Sequence, residues 1–168
     1  MNSKQLACVG EHLLKCSYFK FLGVFPRDEV PKVTSYPTCL IANTDTSEEP
    51  GTHWIAISYI SPYETEFFDS AALPPEFYGF TLPYVNTSNY RIQSLTSNVC
   101  GQFCLFYIFY RSHGYSLSSI ISMFSSSDHM WNDSQVRKFY NKAKRASPIC
   151  YTCACSCNQF CIQCCSYV

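Results

Sequence analysis

Charge is scarce in this chain: Asp, Glu, Lys and Arg make up 14% of its 168 residues, and twelve basic side chains cancel twelve acidic ones. A net charge of zero argues against a protein built mainly to hold polyanions. A long apolar run is also lacking. The longest, around Cys104 to Tyr110, falls far short of the roughly 20 residues that span a bilayer, so no membrane span is expected. The N-terminus carries Lys4 and Glu11 and lacks the apolar centre of a signal peptide. These absences predict a soluble intracellular protein, cytoplasmic or nuclear. Cysteine is thin where a disulfide framework would need it, with five in the first 149 residues and seven in the last nineteen. What is abundant is apolar and aromatic surface, 47% and 17% of the chain, which marks a globular sequence long enough for one substantial core.

The pattern along the chain is α+β. Residues 1–22 place Leu6, Val9, Leu13, Leu14 and later Phe19 and Phe21 at helical spacing, and "GVFPRDEVPKV" then reads as a Pro-punctuated loop. "TCLIAN" is a short buried strand. "HWIAISYI" and "ETEFFDS" are β-rich runs across a tight "SPY" turn, an antiparallel hairpin. "AALPPEFYGF" is irregular, and "YRIQ" reads as a short strand. Residues 101–113 are apolar nearly all round, a helix buried on most faces with Gly114 at its end. "SLSSIISMF" and "NDSQVRKFYNKAK" read as two more helices, the second opened by Asn132 or Asp133. Arg137, Lys138, Lys142, Lys144 and Arg145 cluster in that last helix. They read either as its solvated face or as a weak nucleic-acid contact.

Two cysteines stand one helical turn apart in "VCGQFC". Cys100 opens the helix, where the positive end of the dipole lowers a thiol pKa and favours the nucleophilic thiolate. Gly101 removes a side chain where a substrate backbone would approach. Cys104 lies inside the helix and reads as a small core residue. A nucleophilic cysteine needs a base, and the chain has four histidines. His113 is about 20 Å away along the same helix. His12 lies in the first helix, His129 in a polar loop, and nothing aims either of them. His53 opens a strand after "PGT", at a sheet edge where active-site loops meet. If the hairpin pairs residues whose numbers sum to about 122 or 124, Asp69 lies opposite or diagonal to His53 on the same face, with Glu64 and Glu66 on the other. A slip of one residue reverses that conclusion. Gln93 carries a neutral amide suited to an oxyanion, beside the Cys100 N–H, although by itself it reads as an ordinary surface glutamine.

Taken together, "GTHWIAISYI", "FFDS" and "IQSLTSNVCGQFCLFYIFY" resemble the adenovirus-type (adenain-like) cysteine proteases. These are papain-like enzymes that share an architecture with the ubiquitin-like-protein (SUMO) proteases. The resemblance is closest to the adenain-like proteases of Polinton (Maverick) elements and spans about residues 18–143. It implies His53 as base, Asp69 as its acidic partner, Gln93 in the oxyanion hole and Cys100 as nucleophile, with no cofactor required. It implies cleavage after glycine in polypeptide substrates, for which Trp54 and Gly101 are read as substrate-binding. The implied substrates are structural precursors of a virus-like or mobile element, and a viral element would place the protein in the virion. A SUMO/ubiquitin-like isopeptidase and an inactive, domesticated protein-binding copy are the alternatives. No position here matches the disulfide-linked peptide cofactor or the DNA activator of adenovirus proteases.

The chain divides into a protease domain, 1–145, and a Cys-rich tail, 146–168. Cys150/Cys153 and Cys161/Cys164 form two C-x2-C pairs that would suit zinc. Their separation is short, three further cysteines compete, and histidine is absent. An oxidation- or acylation-prone appendage is the favoured reading, so no metal ligand is assigned.

Overall fold

The computed structural model describes residues 1–146. The Cys-rich tail, and the zinc question with it, lies outside the described residues. A mixed five-stranded sheet, β1 (Lys20–Phe25), β2 (Thr38–Asn43), β3 (Trp54–Ser61), β4 (Glu64–Phe68) and β5 (Val85–Thr87), runs in sequence order from edge to edge. β2–β3 and β3–β4 pair antiparallel, while β1 and β5 join as parallel edges. Helices α1 (Ser3–Leu14), α2 (Cys100–Ser112), α3 (Leu117–Ile121) and α4 (His129–Ala146) gather on one face. The architecture is α+β.

The period of two along β3 and β4 divides the core. Ala56 and Phe68 face the helices, where the Phe68 ring stacks parallel on Tyr107 of α2 at 4.6 Å. Ile55, Ile57 and Phe67 face the other way and are covered by Phe80 and Tyr78 from the irregular segment after β4. α2 is buried on most faces because it packs against α1, α3, α4 and β3. Glu66, on the helix face of β4, is satisfied by Tyr107 Oη and Arg111 Nε, each at 2.7 Å. Those two bonds let a carboxylate sit in the core without an unpaired charge.

Several element assignments change. The first helix stops at Leu14, and Phe21 belongs to an edge strand whose bulge at Gly23 (φ +126°) breaks the apolar alternation. "YRIQ" is not a strand, because the N–H groups of Ile92 and Gln93 both donate to Ser70 O. The strand lies earlier, at Val85–Thr87. α4 starts at His129, where Asp128 caps the Trp131 N–H at 2.8 Å. His129 is therefore helical, and Asn132 and Asp133 are buried within the helix. Val136, Phe139, Tyr140 and Ala143 give α4 its inward stripe, and the five basic residues from Arg137 to Arg145 are exposed. Among the described residues no helix is long and apolar enough to cross a membrane.

Candidate active site

β3 and β4 pair with residue numbers summing to 124 from Ala56–Phe68 through Tyr59–Thr65. Extended past the strand ends, that register sets His53 diagonal to Asp69 on the face that also carries Ile55 and Phe67. His53 Nε2 meets Asp69 Oδ1 at 2.6 Å. Asp69 is fully buried yet completely solvated by protein. Its Oδ1 also accepts the Ala71 N–H at 2.9 Å, and its Oδ2 accepts the Leu73 N–H at 3.0 Å and Tyr78 Oη at 2.9 Å. Burial alone would raise the Asp69 pKa. The bond and charge of His53 and the two N–H groups override it and hold the carboxyl below its usual range. The turn that wraps the carboxylate puts Ala72 at φ +59°, a left-handed conformation costing a non-glycine residue about 1 kcal/mol.

With Nε2 engaged, Nδ1 is the ring nitrogen left for a thiol, and His53 and Cys100 shift each other's titration, the imidazole upward and the thiol downward. Cys100 is the first residue of α2, and no side chain caps the N–H groups of that turn. Burial pushes its thiol pKa up. The imidazole bond and charge outweigh burial, helped by the N–H groups of Trp54 and Gly101, so the pKa is lowered. For His53, burial lowers the pKa, but Asp69 and Cys100 outweigh it and raise the value to about 9. The arrangement favours a thiolate–imidazolium pair. Cys104, one turn on, is fully buried with its pKa raised well above the ordinary thiol value.

Gln93 is buried, not a surface residue. Its Nε2 donates to Ser97 O at 2.9 Å and its Oε1 accepts the Ser70 hydroxyl at 2.6 Å. Its segment is held from behind by Asn132, whose Nδ2 donates to Ile92 O at 2.8 Å. Gly101 and Trp54 sit against each other. A Cβ on Gly101 would come within 3.0 Å of Leu6 and 3.4 Å of Trp54. The missing side chain thus admits α1 and the indole against the first turn of α2, and Gly101 itself is buried.

Sequence reasoning missed Ser70, Tyr78 and the Trp54 N–H. Ser70 carried one available signal, its place next to Asp69 where the strand ends. Tyr78 had none, because it enters from a short 3-10 helix, Pro75–Tyr78, between strands and stacks on the His53 ring at 5.9 Å.

No protein-family model matches the sequence, and no curated protein matches it. Among solved structures the chain is similar to the central domain of the uncharacterized Lpg1148 protein from Legionella pneumophila. The identity is 15%, over 89% of this chain and 98% of that one, with a TM-score of 0.48, a level of likeness on which nothing further is built.

Proposed function

We propose that the protein is a cysteine endopeptidase of the papain-like, adenain type. One observation carries the reading: the His53 imidazole, held through Nε2 by the buried Asp69 carboxylate at 2.6 Å, lowers the pKa of a thiol that opens a helix. The Cys100 thiolate attacks the peptide carbonyl carbon, and the developing oxyanion is met by the Cys100 N–H and the Gln93 amide. As the C–N bond breaks, His53 gives its proton to the departing amine. Water, deprotonated by His53, then hydrolyses the thioester and regenerates the thiol. These steps call on no cofactor. Cys100 is only 6% exposed, which supports a substrate with a small residue before the scissile bond, such as glycine.

The wider reading rests on the sequence resemblance. It proposes an intracellular or virion-borne enzyme acting on structural precursors of a virus-like element, with polypeptide partners and a weak nucleic-acid contact along α4. A fluorogenic Gly-Gly peptide and a Gly-Gly vinyl electrophile test the core of it. The full chain is expected to turn over the first and to be labelled at Cys100 by the second, with Cys100→Ala folded and inactive. Label on Cys104 with Cys100 free, or turnover by Cys100→Ala, overturns the assignment. Release of a folded ubiquitin-like modifier without cleavage of short peptides would favour the isopeptidase alternative.

A further inference from the structure

We propose that Ser70 is the positioning residue for the oxyanion amide, so that the Asp69-Ser70 dipeptide orients the base and the oxyanion donor together; this rests on the hydrolase reading above. The chemistry of the contacts dictates the amide's orientation. Ser97 contributes a backbone carbonyl, which only accepts, so the atom facing it at 2.9 Å is Gln93 Nε2. The atom facing Ser70 Oγ at 2.6 Å is then Oε1, and the hydroxyl must donate to it. One Nε2 hydrogen is committed to Ser97, and the second is left for the substrate oxygen. Without the hydroxyl, Oε1 loses its buried donor and the amide can rotate about its last side-chain torsion.

The anchor is built in two ways from one residue. The Ser70 carbonyl accepts the N–H groups of Ile92 (3.0 Å) and Gln93 (3.1 Å), fixing the main chain at Gln93, while the hydroxyl fixes the far end of the same side chain. Ser70 is 1% exposed, so solvent does not compete for the hydroxyl. Its neighbour Asp69 sends its own carboxylate to His53. Any shift of this dipeptide therefore moves base and oxyanion donor as one body. A displacement there would alter two catalytic groups that stand 40 positions apart in sequence without touching the nucleophile.

The test is a double-mutant cycle on the full chain with the Gly-Gly peptide, beside NMR of the Gln93 side-chain amide. Ser70→Ala is expected to lower kcat by roughly tenfold to a hundredfold, a large part of what loss of one oxyanion donor costs, with KM little changed. In a Gln93→Ala background the same substitution should change kcat by less than about twofold, because its route of action is gone. The Gln93 Nε2 protons should exchange with solvent faster in Ser70→Ala than in the wild type. Equal losses in both backgrounds, or amide exchange unchanged by Ser70→Ala, overturn the positioning role. If the wild type cleaves the peptide and Ser70→Ala keeps its kcat, the inference fails and the hydrolase reading stands. A wild-type chain that cleaves nothing overturns the hydrolase reading itself, and the positioning role given to Ser70 falls with it.

Discussion

Asp69 and His53, sixteen residues apart, meet at 2.6 Å diagonally across the ends of adjacent strands. Each strand end contributes one side chain, and the register between Ala56 and Phe68 decides that they share a face. The pair then acts on Cys100, the first residue of α2.

The titration of this group should bracket activity. The Cys100 pKa is lowered and the His53 pKa raised to about 9, so the thiolate–imidazolium pair exists above the first and below the second. On the acid side the thiolate takes a proton and kcat/KM falls. On the alkaline side, near pH 9, the imidazolium loses the proton that the leaving amine needs. Asp69→Asn removes the charge and the ionic bond that hold His53 up, so the alkaline limb should move to lower pH. A pH–rate profile with that limb unmoved would detach Asp69 from the imidazole.

Tyr78→Phe keeps the ring on His53 but withdraws a hydroxyl from Asp69 Oδ2. A hydrogen bond to a charged group is involved, so urea denaturation should show a loss of about 1–2 kcal/mol. Activity should drop as well, with the alkaline limb displaced. Stability and profile both equal to the wild type would make the contact incidental.

Gly101→Ala tests what the glycine is for. Alanine favours a helix by about 0.5–1 kcal/mol, yet here its Cβ would press on Leu6 at 3.0 Å and Trp54 at 3.4 Å. We expect a net destabilisation of about 1 kcal/mol, within the usual range for overpacking. In a Leu6→Val background the same change should become neutral or favourable. A penalty that persists there would point to some contact other than α1.

Alkylation should sort the thiols. Cys39 is pushed up to about 12 by burial and Cys104 is also raised by burial, while Cys100 is lowered. Iodoacetamide at roughly pH 6 should therefore modify Cys100 and spare the other two until the protein is unfolded. Peptide mapping that finds Cys104 labelled in the folded chain would refute this order.

A chain ending at Ala146 retains every element and candidate residue described above. It is expected to fold and to cleave the Gly-Gly peptide at the full-length rate, with or without a chelator. Activity lost on truncation and regained with zinc-loaded tail would make the tail part of the enzyme.

The hairpin was legible because Ile55, Ile57 and Phe67 alternate in a period that a strand requires, and its parity selected Asp69 over Glu64 and Glu66. α2 was legible from its unbroken apolar run. Strand β5 was not, since three residues of Val-Asn-Thr carry almost no pattern and pair only because β4 offers an edge. β1 hid behind its bulge at Gly23. The burial of Gln93 escaped for a related reason: its partners Ser70 and Ser97, and Asn132 that holds the neighbouring Ile92 carbonyl, arrive from three separate segments, and polar contacts of that kind leave no periodic trace.

Asn132 reaches back forty residues to the Ile92 carbonyl and also donates to Ser125 O, each at 2.8 Å. During synthesis the chain emerges from its N-terminus, so His53, Asp69, Gln93 and Cys100 all leave the ribosome before this brace does. A nascent chain at that stage carries the thiol but not the support behind Gln93. If the Ile92 clamp is what steadies Gln93, the proposed hydrolase would reach its full cutting power only once α4 has docked.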